Sequence, residues 1–141
     1  MTKTKSKYSV CLCHASNVLA RSMTKLMDEE LAVLNLTSSY AYLLMEVAAQ
    51  DKINPKKISE SLELTPSTVT RLIEKMENRN LLQRKQVGRS TEVRLTKEGK
   101  SIMKQIKICI ERFEKRYAAL IGEELIDKLT KDVYEAAMKV S

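Results

Sequence analysis

The sequence has no tryptophan, one phenylalanine (Phe113), three glycines, two prolines and one histidine (His14) in 141 residues. Each scarcity excludes something. Without aromatic bulk, a core has to be assembled from Leu, Ile, Val, Met and Ala. So little Gly and Pro leaves little material for many turns, which is a helical composition. The lone histidine has no Ser or acid at a recognisable catalytic spacing. There is also no Gly-rich phosphate loop and no H-E-x-x-H, so the chain is not expected to be an enzyme and nothing calls for a cofactor. Three cysteines, an odd number without a secretion signal, argue against a disulfide framework. No apolar run reaches the length of a membrane span, since "YAYLLMEVAA" is broken by Glu46. The lysine-bearing start "MTKTKSKYSVCLCH" lacks an apolar signal region, so a cytoplasmic protein with no membrane partner is expected.

What is present is one domain's worth of soluble chain, 43% hydrophobic and 30% charged. Its net charge of +7 is unevenly spread. Residues 54–97 hold ten Lys/Arg against five acids, a net +5, whereas the other 97 residues carry +2. A polyanion is the natural partner for such a patch, and an ordinary solvated surface is the bland alternative.

Periodicity predicts six helices and one hairpin. Residues 9–34 read as a helix with Ala15, Val18, Leu19, Met23, Leu26 and Leu34 at apolar positions. Thr37 caps a second helix running to about Asp51, and Asn54 caps a short third that starts at Pro55. Thr65 and Pro66 open a fourth over 66–79, whose apolar stripe is Val69, Leu72, Ile73 and Met76. The pattern then changes period: Thr91, Val93 and Leu95 alternate with Glu92 and Arg94, and Gly88 can serve the turn of a β-hairpin. Thr96 caps a long fifth helix, with Ile102, Ile106, Cys109, Phe113, Tyr117 and Leu120 in register. Gly122 breaks it, and a last helix carries Leu125, Leu129, Val133 and Ala136.

Two short helices joined by "ELTP" and followed by a basic hairpin make a helix-turn-helix with a wing, in which the second helix enters the major groove. Helix 66–79 presents Ser67, Thr68, Thr70, Arg71, Glu74 and Lys75 opposite its apolar stripe. Short hydroxyls allow close approach to base edges and phosphates, and Arg71 and Lys75 can reach phosphate oxygens or guanine O6/N7. A winged helix used only as a protein-interaction module would carry a neutral or apolar outer face instead.

The runs "STVTRLIEKMENRNLLQRK" and "GRSTEVRLTKEG" resemble the MarR family of winged-helix transcription regulators, and the resemblance covers nearly the whole chain. The family's V-T-R core falls on Val69-Thr70-Arg71, its exit on Met76-Glu77 through Leu81-Leu82 to Arg84, and its passage into the fifth helix on Val93 to Gly99. Arg89 lies seven residues before Thr96, where the family's wing arginine enters the minor groove. Val87 stands where the family usually has Asp, Asn80 where it has Gly, and the Arg84–Arg89 stretch is shorter than usual. The resemblance implies a mainly α fold with a small β-hairpin, a winged helix-turn-helix flanked by long dimerisation helices. The segments are 1–36 (first dimerisation helix), 37–97 (DNA-binding unit) and 98–141 (remaining dimerisation helices). It implies a homodimer, most commonly a repressor, that binds a pseudo-palindromic operator on double-stranded DNA. A small-molecule, redox or metal signal acting between the dimerisation helices and the winged helix would release it. The apolar residues of helix one and the last two helices independently call for another surface to cover them.

Cys109 sits in the apolar register of the fifth helix and reads as a small core residue. Cys11, Cys13 and His14 form the candidate effector or redox cluster. On a helix Cys11 and Cys13 point away from each other, whereas Cys11 and His14 lie on neighbouring rows, and a zinc site would need further ligands. Packing, a reactive thiol and metal capture are all open to "CLCH". The pattern of Cys11, Cys13, Ala15, Ala20 and Arg21 resembles one subgroup of the family. In the family's peroxide-sensing members the reactive cysteine would map nearer Ser9 than Cys11.

Overall fold

The computed structural model describes residues 3–141. The order is α1 (Leu12–Leu31), a short 3₁₀ turn (Ala32–Leu34), α2 (Ser38–Gln50), α3 (Pro55–Leu62) and α4 (Pro66–Asn78), then β1 (Leu82–Val87), β2 (Ser90–Leu95), α5 (Lys97–Ile121) and α6 (Glu123–Val140). Local chemistry accounts for most boundaries. The Asn54 side chain accepts the Lys57 N–H at 2.8 Å and the Thr65 hydroxyl accepts the Thr68 N–H at 3.4 Å, each ahead of a proline in the first turn. The Thr96 hydroxyl accepts the Gly99 N–H at 3.0 Å and so caps α5. Gly122, at φ 100°, separates α5 from α6.

Three expectations need correction. The first helix begins at Leu12, not residue 9: Ser6 to Cys11 close turns instead, with the Cys11 N–H donating to the Tyr8 carbonyl at 2.9 Å. Its far end tightens into the 3₁₀ turn and stops at Asn35, which takes the left-handed conformation at φ 55°. Thr37 occupies the cap position of α2 but its side chain caps nothing. The carboxylate of Asp28, ten residues earlier, takes the Ser38 N–H at 2.7 Å instead.

The core lies inside the winged-helix unit. Leu43, Leu44 and Val47 of α2, Ile58 of α3, Val69, Ile73 and Met76 of α4, Val93 of β2 and Ile106 of α5 are fully or almost fully buried. From α1 only Met27 and Leu31 join them, and α6 contributes no buried residue. The antiparallel hairpin runs in the register Leu82↔Leu95 to Val87↔Ser90, leaving Gly88 and Arg89 as a two-residue turn with Gly88 at φ 60°. Ile53 adds a third, single-residue rung by exchanging both backbone hydrogen bonds with Val93 at 3.1 and 2.8 Å. Asn80 fills the family's glycine position at φ 59°, a conformation Asn tolerates better than most residues. Among the described residues no single helix is long and apolar enough to cross a membrane.

Candidate nucleic-acid interface

Helix α4 is held from beneath by Val69, Ile73 and Met76, with Leu72 half-buried at the edge. The opposite face carries exposed Ser67, Thr70, Arg71, Glu74 and Lys75. Thr68 belongs to the helix cap. It is half-buried, and its hydroxyl lies 2.9 Å from that of Thr65. Thr70 donates its hydroxyl proton to the Pro66 carbonyl at 3.0 Å, which leaves oxygen lone pairs as its outward chemistry.

The ten cations of the basic window divide into two groups. Arg79 donates to the carbonyls of Asn35 and Leu34, Arg84 pairs with Glu77 at 2.8 Å, and Arg94 pairs with Glu92 at 3.1 Å. The Glu92 carboxyl is held below its ordinary value by the Arg94 hydrogen bond, with help from Lys52 and Lys85. The other seven (Lys56, Lys57, Arg71, Lys75, Lys85, Arg89 and Lys97) form no ion pair with any described residue. Counting charge along the chain could not set Arg79 apart, because its partners lie more than forty residues away.

Arg89 stands exposed at the tip of the hairpin. The turn beneath it is tied by Ser90 Oγ donating to the Val87 carbonyl at 3.2 Å and Thr91 Oγ1 donating to Gln86 Oε1 at 3.1 Å. Val87 offers no carboxylate to orient the guanidinium.

The cysteine–histidine cluster lies well away from α4 in sequence, at the start of α1. Cys11 is the residue before the helix and Cys13 its second residue, and both are exposed. Cys13 Sγ accepts from Asn17 Nδ2 at 3.5 Å. His14 is half-buried against Tyr8, with ring centroids 5.6 Å apart, and Lys7 Nζ sits 5.0 Å from the other ring centre. Among the described residues no three His, Cys, Asp or Glu side chains converge on a metal position. Cys109 is buried, and burial pushes its thiol pKa up, as suits a packing residue.

A cavity of about 430 Å³ opens among α1, α2, α5 and α6, lined by Met23, Met27, Tyr42, Phe113, Tyr117 and Tyr134 among others. Phe113 and Tyr117 meet edge-on at 4.9 Å. Burial, chiefly, raises the pKa of Tyr117. Tyr134 also reaches out of the cavity wall: its hydroxyl donates to Glu63 Oε1 at 3.0 Å, in the turn between α3 and α4. Neither the cavity nor this link is visible as a sequence pattern, since the linked residues are 71 apart.

Fold and surface together define a winged helix-turn-helix protein with long flanking helices. The family model for the MarR family matches residues 36–87. The chain is 31% identical over 94 residues to the HTH-type transcriptional regulator SarZ of Staphylococcus epidermidis, a match spanning 64% of each chain. In solved structures the fold recurs in the transcriptional repressor CouR bound to a 23-mer DNA duplex (TM-score 0.86, 21% identity, 96% of this chain and 99% of that one). It recurs also in the S. aureus MepR–DNA complex (TM-score 0.80, 18% identity, 91% and 97%). In sequence over part of its length, and in fold over nearly all of it, the chain is similar to MarR-family regulators.

Proposed function

We propose that this protein is a transcription regulator, acting as a repressor, that binds a pseudo-palindromic operator as a homodimer and is released by an effector. The observation that carries the reading is the set of unpaired cations, Arg71 and Lys75 on α4 and Arg89 at the wing tip, on a scaffold whose core is complete beneath them. Ser67, Thr70 and Arg71 are the base-reading candidates, Lys75 a phosphate contact, and Arg89 the minor-groove contact. Thr68 contributes through the cap. That CouR and MepR have been solved bound to DNA supports the assignment.

Dimerisation is supported by the apolar side chains that this chain leaves uncovered. Leu12 is 75% exposed, Leu120 71% and Leu125 50%, on stretches of α1, α5 and α6 that lie away from the core. The cavity between those helices and α2 is the effector site we favour. CouR has been solved with p-coumaroyl-CoA, which supports a small-molecule ligand in this fold. An occupant would press on Tyr134, and through Glu63 on the turn that sets α4. Cys11, Cys13 and His14 are the second candidate for signal entry, because both thiols are exposed.

The test is selection of bound fragments from the source genome with purified protein, followed by titration of the recovered site over a range of salt. Affinity should fall steeply with salt as condensed counterions are released. Arg71→Ala should cost about 1–3 kcal/mol and relax the preference at one position per half-site. Uniform weakening would make Arg71 a phosphate contact, and salt-independent affinity would exclude duplex binding.

A further inference from the structure

We infer that Arg79 is a positioning residue for DNA reading: it fastens the exit of α4 to the end of α1 and thereby sets the attitude of the recognition helix. The inference rests on the DNA-binding reading above. By composition Arg79 belongs to the basic patch, but its guanidinium, though exposed, is bonded back onto the chain. Nη1 donates to the Asn35 carbonyl at 2.6 Å and Nη2 to the Leu34 carbonyl at 3.1 Å. These carbonyls end the 3₁₀ turn, where a helix leaves acceptors without partners of its own.

Both sides of the joint are fixed. On the α1 side, Asn35 donates its N–H to the Ala32 carbonyl at 2.9 Å, and Asp28 holds the start of α2. On the α4 side, the Leu81 N–H returns to the Met76 carbonyl at 2.9 Å, and Thr96 Oγ1 donates to the Asn80 carbonyl at 2.6 Å. Arg79 is therefore the polar link between two rigid corners. Two prongs on two successive carbonyls fix an angle as well as a distance, which a lysine ammonium cannot do. Arg79 also lies at the C-terminal end of α4, whereas the N-terminal residues of a recognition helix meet the bases. In a dimer built on α1, this joint relates the two recognition helices to the shared frame, and so governs which half-site spacing they match.

The experiment compares wild type, Arg79→Lys and Arg79→Ala on the selected operator and on versions with the spacer changed by one base pair. Each is titrated across salt, with hydrogen exchange measured on the free proteins. Both variants should bind the operator roughly tenfold more weakly. Both should lose discrimination between spacers while the salt slope stays at the wild-type value. Amides around residues 33–37 and 78–82 should exchange faster while those of α2 stay protected. If Arg79→Lys keeps wild-type affinity and Arg79→Ala lowers the slope by about 0.9, Arg79 is a phosphate contact and the inference is wrong. Unchanged spacer preference in both variants, or unchanged exchange at the joint, overturns it equally. A wild type that binds no duplex overturns the DNA reading instead, and the exchange data then judge the joint alone.

Discussion

Replacing Gly99 by alanine is a severe test of how the wing and α5 are joined. Gly99 is a buried residue in the first turn of α5. A Cβ built there would overlap the Leu81 carbonyl oxygen, and would stand 3.1 Å from the carbonyl carbon and 3.2 Å from Leu95 Cδ2. The obstacle is backbone, and that backbone is held. The Leu81 carbonyl accepts the Thr96 N–H at 3.1 Å, and the Leu81 N–H is tied to Met76. Relief requires α5 to lift from the exit of α4. Overpacking of this kind costs about 1–3 kcal/mol, and weakening the Leu81–Thr96 hydrogen bond adds about 1 kcal/mol. Better helix propensity returns at most about 1 kcal/mol. The net expectation is about 1–3 kcal/mol of destabilisation, which at a typical urea slope of about 2 kcal/mol/M lowers the midpoint by about 0.5–1.5 M. Urea melts of wild type, Gly99→Ala and the exposed control Lys100→Ala, at one fixed protein concentration, measure this. A Gly99→Ala midpoint equal to or above wild type would refute the reasoning.

Three further outcomes are expected. The free protein should sediment at twice 16.1 kDa, and Leu125→Glu, a charge at a site exposed in the single chain, should give a monomer with poor operator binding; a monomer that still grips one half-site tightly refutes the dimer. The Cys11→Ser, Cys13→Ser double variant should retain DNA under peroxide or zinc that releases the wild type, and identical behaviour under both treatments makes these thiols packing residues. The hydrogen bond to Glu63 raises the pKa of Tyr134, so the folded state favours the protonated phenol. The Tyr134–Glu63 link is therefore intact below the usual phenol value of about 10 and is lost as pH rises through the raised one. Exchange protection at the α3–α4 turn should fall across that range in wild type but show no such step in Tyr134→Phe.

Much of the fold was legible because its signals are local. The stripe Val69, Leu72, Ile73, Met76 turned into the core as its spacing requires, and Asn54, Thr65 and Thr96 cap the helices they precede. The change to period two and Gly88 located the hairpin and its turn. The rest depends on partners distant in sequence. Asp28 replaces Thr37 as the cap of α2, and Arg79 reaches the end of α1. A tally of charge carries no partners, so three arginines already bonded within the chain were counted together with the unpaired cations. Thr68 and Thr70 were placed on the correct helix, but periodicity does not reveal that a hydroxyl is already committed to a cap or a carbonyl.

The hairpin is anchored at one end only. Leu82, Val93 and Leu95 are buried at its base, whereas every side chain from Lys85 to Ser90 is exposed. Gly88 apart, substitutions along that tip should move stability by no more than about 0.5 kcal/mol. Mutation can then sample new tip chemistries without first accumulating surplus stability elsewhere. What the wing touches and whether the protein folds are thus open to selection as separate traits.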